Sequence, residues 1–240
     1  MSKVVKRGFF DTDEKQFNNK SIEVLKEASK DLYYLLNRNY PIKPASTFIG
    51  NHYLLSERQR LAIVRAVSSK ENIEKRKAKE VKGSLKGKTV KIDGFNTIIT
   101  LEIAFSNSLL IKCMDNTIRD LAALRSTYRL IDKTDLAILN ILKYLDREEV
   151  EKVIFYLDAP VSNSGRLKQH ILNLANDFNL LVEVEVINNV DSVLEKLDYV
   201  VTSDAIILDK CISFVNLTSD IISTEIKDCS FVNFVKDIEI

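Results

Sequence analysis

The sequence predicts an α/β protein: a mostly parallel sheet flanked by helices, preceded by a small all-α region. Three observations carry this expectation. From about residue 89 onward, short Val/Ile/Leu-rich runs such as EKVIFYLD, LLVEVEVI and DYVVTSD alternate with amphipathic stretches such as SGRLKQHILNLANDF, the pattern of strands covered on both faces. Before residue 89, apolar residues recur at helical spacing, as in Ile22, Leu25, Ala28, Leu32 and Leu35. Charge also divides the chain. Residues 1–88 hold 20 Lys/Arg against 10 Asp/Glu, and the remainder is acidic, although the whole chain is only +1. The boundary is expected near Gly87, giving a basic helical region and linker over 1–88 and an α/β domain over 89–240.

In the first region, KSIEVLKEASKDLYYLLNR reads as a helix with Ser21 as a candidate N-cap. It should stop before Pro41, because a residue preceding proline avoids the α region. YPIKPASTFIGNHY reads as a loop punctuated by Pro41, Pro44 and Gly50. LSERQRLAIVRAVSS reads as a second helix capped by Ser56, with Leu61, Val64 and Val67 as its apolar stripe. Residues 70–88 hold eight basic and three acidic residues and read as a helical extension fading into a linker. That stretch is either a flexible basic arm or an RNA-contacting one. The candidate RNA contacts of the region are Arg58, Arg60, Arg65, Lys75, Arg76 and Lys77.

In the second region, VKID reads as a strand, NTIITLEIAFSN favours helix and LLIKC is a short strand. TIRDLAALRSTYRL reads as a helix opened by a Thr117–Asp120 capping box, and Thr134 should cap the helix TDLAILNILKYLDRE. After the strands EKVIFYLD and LLVEVEVI come a short helix in DSVLEKL, a strand–turn–helix start in DYVVTSDAIILD and a last apolar strand in CISFVNL.

Composition excludes several classes. No apolar run approaches the roughly 18–20 residues of a membrane span, and the basic start lacks the apolar core of a secretory signal. Cys113, Cys211 and Cys229 form neither a zinc spacing nor a disulfide framework and fit a reducing cytosol. With only His52 and His170 in the chain, a zinc centre or a Ser-His-Asp triad is not expected.

The chemistry is expected at the carboxyl edge of the sheet, where open parallel sheets bind ligands. Three strands end in aspartate: Asp93, Asp158 and Asp204. If those strands are parallel and central, three carboxylates share a crevice, at a cost in repulsion and desolvation that Mg²⁺ or Mn²⁺ would offset. Such an ion can activate water and neutralise charge on a phosphate. The plainer reading is that aspartate caps helices and turns. Ser162, Asn163, Ser164 and Arg166 form a strand-to-helix turn that could hold an anion, or Ser162 or Ser164 could simply be the N-cap. Arg119, Arg125 and Arg129 share the expected 117–130 helix and could hold phosphate or pair with surface acids.

IDGFN, FYLDAP and VVTSD resemble the acidic strands of PIN/NYN-type ribonuclease domains, over about residues 89–217. The chain as a whole also resembles an uncharacterised prokaryotic family, through FIGNHYLLSERQR, DGFNTIITLE, RDLAALRSTYR and LDAPVSNSGRLK. The first resemblance implies that Asp93 is the principal metal ligand and that Asp158 and Asp204 complete the shell. It implies that Asp191 is a ligand or an outer acid, that Asn96 supports Asp93 or meets substrate, and that Thr202 or Ser203 lies beside a phosphate. Glu102, Asp115 or Asp120 would supply the further acid that active PIN domains carry. The sequence departs from the pattern at Ala205, where another acid is frequent.

The first functional expectation is therefore a metal-dependent endoribonuclease, cytoplasmic, with RNA as partner, no membrane, and a homodimer left open. A non-catalytic RNA-binding or ribonucleoprotein adaptor on a degenerate PIN-like fold is the second. A nucleotide or phosphosugar enzyme using the Ser162–Arg166 loop is the third.

Overall fold

The computed structural model describes residues 6–122, 127–227 and 229–238. Helices α1 (Asp13–Gln16), α2 (Asn19–Leu36), α3 (Ile42–His52), α4 (Glu57–Ala66) and α5 (Lys70–Lys79) precede the first strand. Then follow β1 (Thr89–Asp93), α6 (Gly94–Phe105), β2 (Leu110–Lys112), β3 (Ile118–Asp120), α7 (Asp132–Arg147), β4 (Lys152–Asp158) and α8 (Ser164–Ala175). The chain ends with β5 (Leu181–Ile187), α9 (Val190–Leu194), β6 (Val200–Val201), α10 (Ala205–Lys210), α11 (Leu217–Glu225) and β7 (Phe231–Val232). Among the described residues no helix is long and apolar enough to cross a membrane.

The main sheet is parallel throughout, in the order β5-β4-β1-β6. Alternation sorts its side chains by face. Val90, Ile92, Val153, Phe155, Leu157 and Val201 join one core with α6, α7, α8 and α11, whereas Ile154, Tyr156 and Val200 pack against α9 and α10. From β1 the chain builds outward through β4 and β5, then returns to place β6 on the other side of β1. The strand order therefore reverses between β1 and β6.

A second sheet, β3-β2-β7, lies between two cores. Leu110 and Ile118 face the main core; Leu109, Ile111, Cys113 and Val232 pack with Leu25, Leu32, Ile49 and Ile63 of the N-terminal helices. The helical region and the α/β region thus share a hydrophobic core. Residues 80–88 are docked as well: Val81 N donates to Phe214 O (2.8 Å), Gly87 N donates to Glu149 O (2.9 Å), and Leu85 is buried in the main core.

Several elements differ from the sequence expectation for local reasons. The stretch expected as a loop around Pro41 and Pro44 contains α3. Pro41 is its N-cap and Pro44 its third residue, positions where the missing N–H has no intrahelical acceptor to lose. Asn18 rather than Ser21 caps α2, accepting from Ser21 N. Thr134 sits inside the first turn of α7, where its hydroxyl accepts from Ile131 N. In α4 the Ser56 capping box forms and Val67, its C-cap, is buried as expected, but within the helix the buried residues are Ala62, Ile63 and Ala66, with Leu61 and Val64 only half-buried. The expected 117–130 helix is instead β3 at its start, because Thr117 gives its hydroxyl and its N–H to Asp115 and Asp120 accepts from Ala122 N. Arg125 lies outside the described residues. CISFVNL forms no strand; Phe214 makes single bridges to Glu80 and Val200, and Leu217 opens α11.

Gly94 joins β1 directly to α6 at a close approach to β4. A Cβ there would stand 2.5 Å from Leu157 Cδ2 and 3.0 Å from Tyr156 O. Gly94→Ala is expected to destabilise the fold by about 1–3 kcal/mol through overpacking, read by urea denaturation. Unchanged stability would contradict this packing.

Candidate functional site

Asp93 ends β1 and caps α6. Its Oδ1 accepts weakly from Asn96 N (3.4 Å) and its Oδ2 accepts from the Thr202 hydroxyl (2.8 Å). Asp204 caps α10, accepting from the N–H groups of Ile206 (2.8 Å) and Ile207 (3.3 Å). Asp158 ends β4, and Asp191 lies in the first turn of α9. These four aspartates line one cleft of about 530 Å³ at the carboxyl edge of the parallel sheet, where the strand order reverses. Its other lining residues include Val64, Arg65, Phe95, Asn96, Ile99 and Arg119.

Charge in this cleft is poorly compensated. Asp93 is 7% exposed, and burial pushes its carboxyl up to about 7; the Thr202 hydrogen bond opposes that, while Asp204 and Asp191 reinforce it. Burial also raises Asp191, with Asp204 and Asp158 adding to the effect, and burial raises Asp158. Among the described residues the nearby arginines pair elsewhere: Arg65 with Asp120, and Arg76 and Arg119 with Asp115. Four acids with no ion pair among the described residues, of which Asp204 alone feels the charge of Arg119, fit a hard divalent cation by chemistry, since all donors are oxygens. They are not a preassembled shell, because among the described residues no three His, Cys, Asp or Glu side chains stand together as a ligand set.

The polar residues beside the acids act as braces. Asn96 Oδ1 accepts from both the N–H and the hydroxyl of Ser203 (2.9 and 3.0 Å), and Thr202 Oγ1 accepts from Asp204 N (3.1 Å). Arg119, expected to meet phosphate, is buried and holds protein groups instead. Its Nε donates to Ser203 O (2.6 Å), and its other nitrogens reach Arg65 O and Asp115. Asp115 is a buried hub that takes Arg119, Arg76 and Thr117; burial alone would raise its carboxyl, but the two guanidinium groups hold it below the usual range. Arg76 in turn reaches Asp209 (2.6 Å) and Ala205 O (3.4 Å), so two arginines hung on Asp115 grip the segment that carries Asp204.

Of the three candidates for a further acid, only Asp120 lines the cleft. Asp115 is the hub, and Glu102 is fully buried, where it accepts from the Tyr128 hydroxyl (2.7 Å) and pairs with Arg7. Ser162, Asn163, Ser164 and Arg166 are not among the cleft's lining residues. Ser162 Oγ accepts from Tyr128 N, and Asn163, at φ 64°, donates to Tyr128 O (2.6 Å), so this loop fastens the 127–130 segment. Asn163, neither Ser162 nor Ser164, is the residue at the N-cap of α8.

The basic residues expected to contact RNA are also largely engaged. Arg76 is 2% exposed, which removes it as a surface contact. Arg58 pairs with Asp13, and Arg60 holds Leu55 O and Asn51. Lys75 pairs with Glu71 on the surface, Lys77 is exposed, and Arg65 opens into the cleft. Sequence reasoning missed the carbon part of the lining, Val64, Phe95, Ile99 and Ile206, because apolar residues in helices carry no signal that separates a cleft wall from a core.

The family model described as "Domain of unknown function (DUF5616)" matches residues 82–220, and that described as "Protein of unknown function (DUF434)" matches residues 24–79. Uncharacterized protein MJ0935 of Methanocaldococcus jannaschii is 38% identical over 186 residues, which is 77% of this chain and 88% of that protein. No solved structure matches. The cleft draws Val64 and Arg65 from the first matched segment of the chain and its remaining lining from the second.

The raised Asp93 gives a signed pH dependence. The folded state holds this proton more tightly than the unfolded chain, whose carboxyl has the ordinary value of 3.8. Below that value both states are protonated and the group contributes nothing; as pH rises towards about 7 the folded state is progressively penalised. In metal-free buffer Asp93→Asn is expected to remove this falling limb and to be relatively more stable at pH 8 than at pH 4, by urea denaturation. A pH profile parallel to that of the wild type would contradict it. Asp115→Ala, which strips the buried Arg119 of its carboxylate and leaves Arg76 with Asp209 alone, should cost about 3–5 kcal/mol. A loss below about 1 kcal/mol by the same method would remove Asp115 as a hub.

Proposed function

We propose that this chain, which belongs to the DUF5616 family, is a metal-dependent ribonuclease with a PIN/NYN-like α/β domain. The observation that carries the reading is the meeting of four aspartates, from four separate segments, in one cleft at the strand-order reversal, with no ion pair to any of them among the described residues. Asp93, Asp158, Asp191 and Asp204 are the residues that would hold Mg²⁺ or Mn²⁺. Such an ion, when bound, supplies charge neutralisation at a phosphate and a water of lowered pKa.

The protein's own groups do the positioning. Thr202 fixes one oxygen of Asp93. The first N–H groups of α10 fix one oxygen of Asp204 and leave the other free. Asn96 and Arg119 hold Ser203 from two sides. Asp158 and Asp191 are less buried and are the adaptable members of the set. RNA as substrate rests on the excess of basic residues in 1–88, of which the exposed lysines remain available.

One observation favours a second reading, a non-catalytic RNA-binding protein on a degenerate PIN-like fold: the acids are not preassembled as a ligand set. The nucleotide or phosphosugar reading built on Ser162–Arg166 is less favoured, since Ser162 and Asn163 fasten the Tyr128 segment and the loop is not part of the cleft lining.

The test compares wild type with Asp158→Asn and Asp191→Asn, two positions that form no ion pair among the described residues; Asp158 accepts from Val190 N at the start of α9, a bond that the Asn carbonyl oxygen can still accept. Cleavage of an unstructured RNA in Mn²⁺ is expected to fall by about 100-fold or more in each, with the metal-free melting temperature preserved. Cleavage that survives EDTA, or that is unaffected in both variants, would overturn the catalytic reading.

A further inference from the structure

The cleft has a part that the four acids do not occupy. Asp93 caps α6, and the lining continues along that helix through Asn96 to Ile99. At the next residue, Thr100 donates its hydroxyl to Asp120 Oδ2 (3.0 Å), and Asp120 Oδ1 accepts from Arg65 Nη1 (3.2 Å). From Asp93 to Thr100 is about 10 Å of helix at 1.5 Å per residue. Arg65 is therefore anchored about two turns from the capping acid. Its side chain is 29% exposed against 9% for Asp120. Arg65 also donates to Asp120 O and to Ala122 O (3.3 Å), but its Nε has no protein acceptor among the described residues. Arg119, the other cation of the lining, is almost completely buried with all three of its nitrogens engaged.

The cleft that Arg65 lines also has carbon surface. Val64 precedes Arg65 in the chain, and Phe95, Ile99, Ala122 and Ile206 are other apolar members of the same lining. Ile206 is 58% exposed, a large apolar side chain at a cleft mouth with no core to fill. A cation fixed beside an apolar wall suits a ligand that carries an anion and a flat apolar body on one molecule. Inorganic phosphate would leave the wall wet, and a purely apolar ligand would leave Arg65 unused. A guanidinium fork also matches phosphate geometry better than a point charge does.

We infer that this half of the cleft is a nucleotide subsite. Arg65 takes a phosphate, and the Val64, Ile99 and Ile206 surface takes the base. The inference deepens the proposed function and rests on it for RNA as the polymer, but binding at this subsite requires no divalent ion. The Arg65–Asp120 pair holds the guanidinium ready in the free protein.

Binding of AMP, inorganic phosphate and a labelled short oligoribonucleotide, measured in EDTA across a salt series, tests it. Arg65→Met is made in an Asp120→Asn background, so that no carboxylate is left buried without its partner; Asp120→Asn alone is the reference. The double variant should melt near its reference, bind the oligoribonucleotide about tenfold or more weakly, and lose about 1 from its salt slope. Ile206→Ser alters an exposed side chain, so its fold is secure. It should weaken AMP and oligoribonucleotide several-fold, with phosphate affinity and salt slope unchanged. A folded double variant that binds like its reference overturns the inference, and so does AMP binding no more tightly than inorganic phosphate to the wild type. If these EDTA effects are present while Mn²⁺-dependent cleavage is absent, the subsite stands and the catalytic reading fails. If cleavage is robust and neither variant alters binding, the subsite fails alone.

Discussion

Like charges held together away from water form the constraint around which this molecule is arranged. Asp93 is almost completely enclosed between β1, α6 and the Thr202 loop, and two other carboxylates raise its pKa further. A carboxyl in that position is either protonated or compensated from outside the chain. The surroundings offer hydrogen bonds from Thr202 and from helix N-termini, which orient the oxygens, but no basic partner among the described residues. The parallel sheet accounts for the concentration of acids. Reversal of strand order beside β1 opens a crevice there, and the residues that end β1, β4 and the β6 segment must face it.

Around that crevice the positive charge of the N-terminal region takes on a structural role. Arg76 of α5 and Arg119 of β3 converge on Asp115 and extend to Ala205 O, Asp209 and Ser203 O. Buried ionic networks of this kind contribute little net stability, but removing one member leaves a charge stranded. Here the network joins three segments remote in the chain and fixes the backbone on both sides of Asp204. Together with the core shared between sheet β3-β2-β7 and α2, α3 and α4, it makes the helical region a wall of the cleft. A detachable arm would share neither a core nor a buried ion network.

The alternation of Val/Ile runs with amphipathic stretches made the α/β class legible in the sequence. The strand ending at Asp158 was legible too, as the continuous apolar run VIFYL, and the strand ending at Asp93 as the shorter Val90–Ile92 alternation ahead of Asp93-Gly94. Their common destination could be stated only on the condition that the strands were parallel and adjacent, which no single strand encodes. What escaped reading depended on contacts between distant residues. Thr117 to Asp120 has the spacing of a capping box, yet Asp115 captures Thr117 first and the segment pairs with β2. Pro41 and Pro44 signal a break, but in the first turn of a helix they are harmless. A row of lysines and arginines reads as a nucleic-acid surface until the partners of Arg58, Arg76 and Arg119 are known, and those partners lie 45, 39 and 84 residues away in the chain.

Proton release on Mn²⁺ binding tests the central claim most directly, measured by titration calorimetry in buffers of different ionisation enthalpy. A cation entering between these carboxylates must displace the proton that Asp93 retains near neutrality. Saturable binding is therefore predicted with a buffer-dependent heat at pH 6, which fades by pH 9. Absence of saturable heat, or the same proton balance at both pH values, would contradict the account.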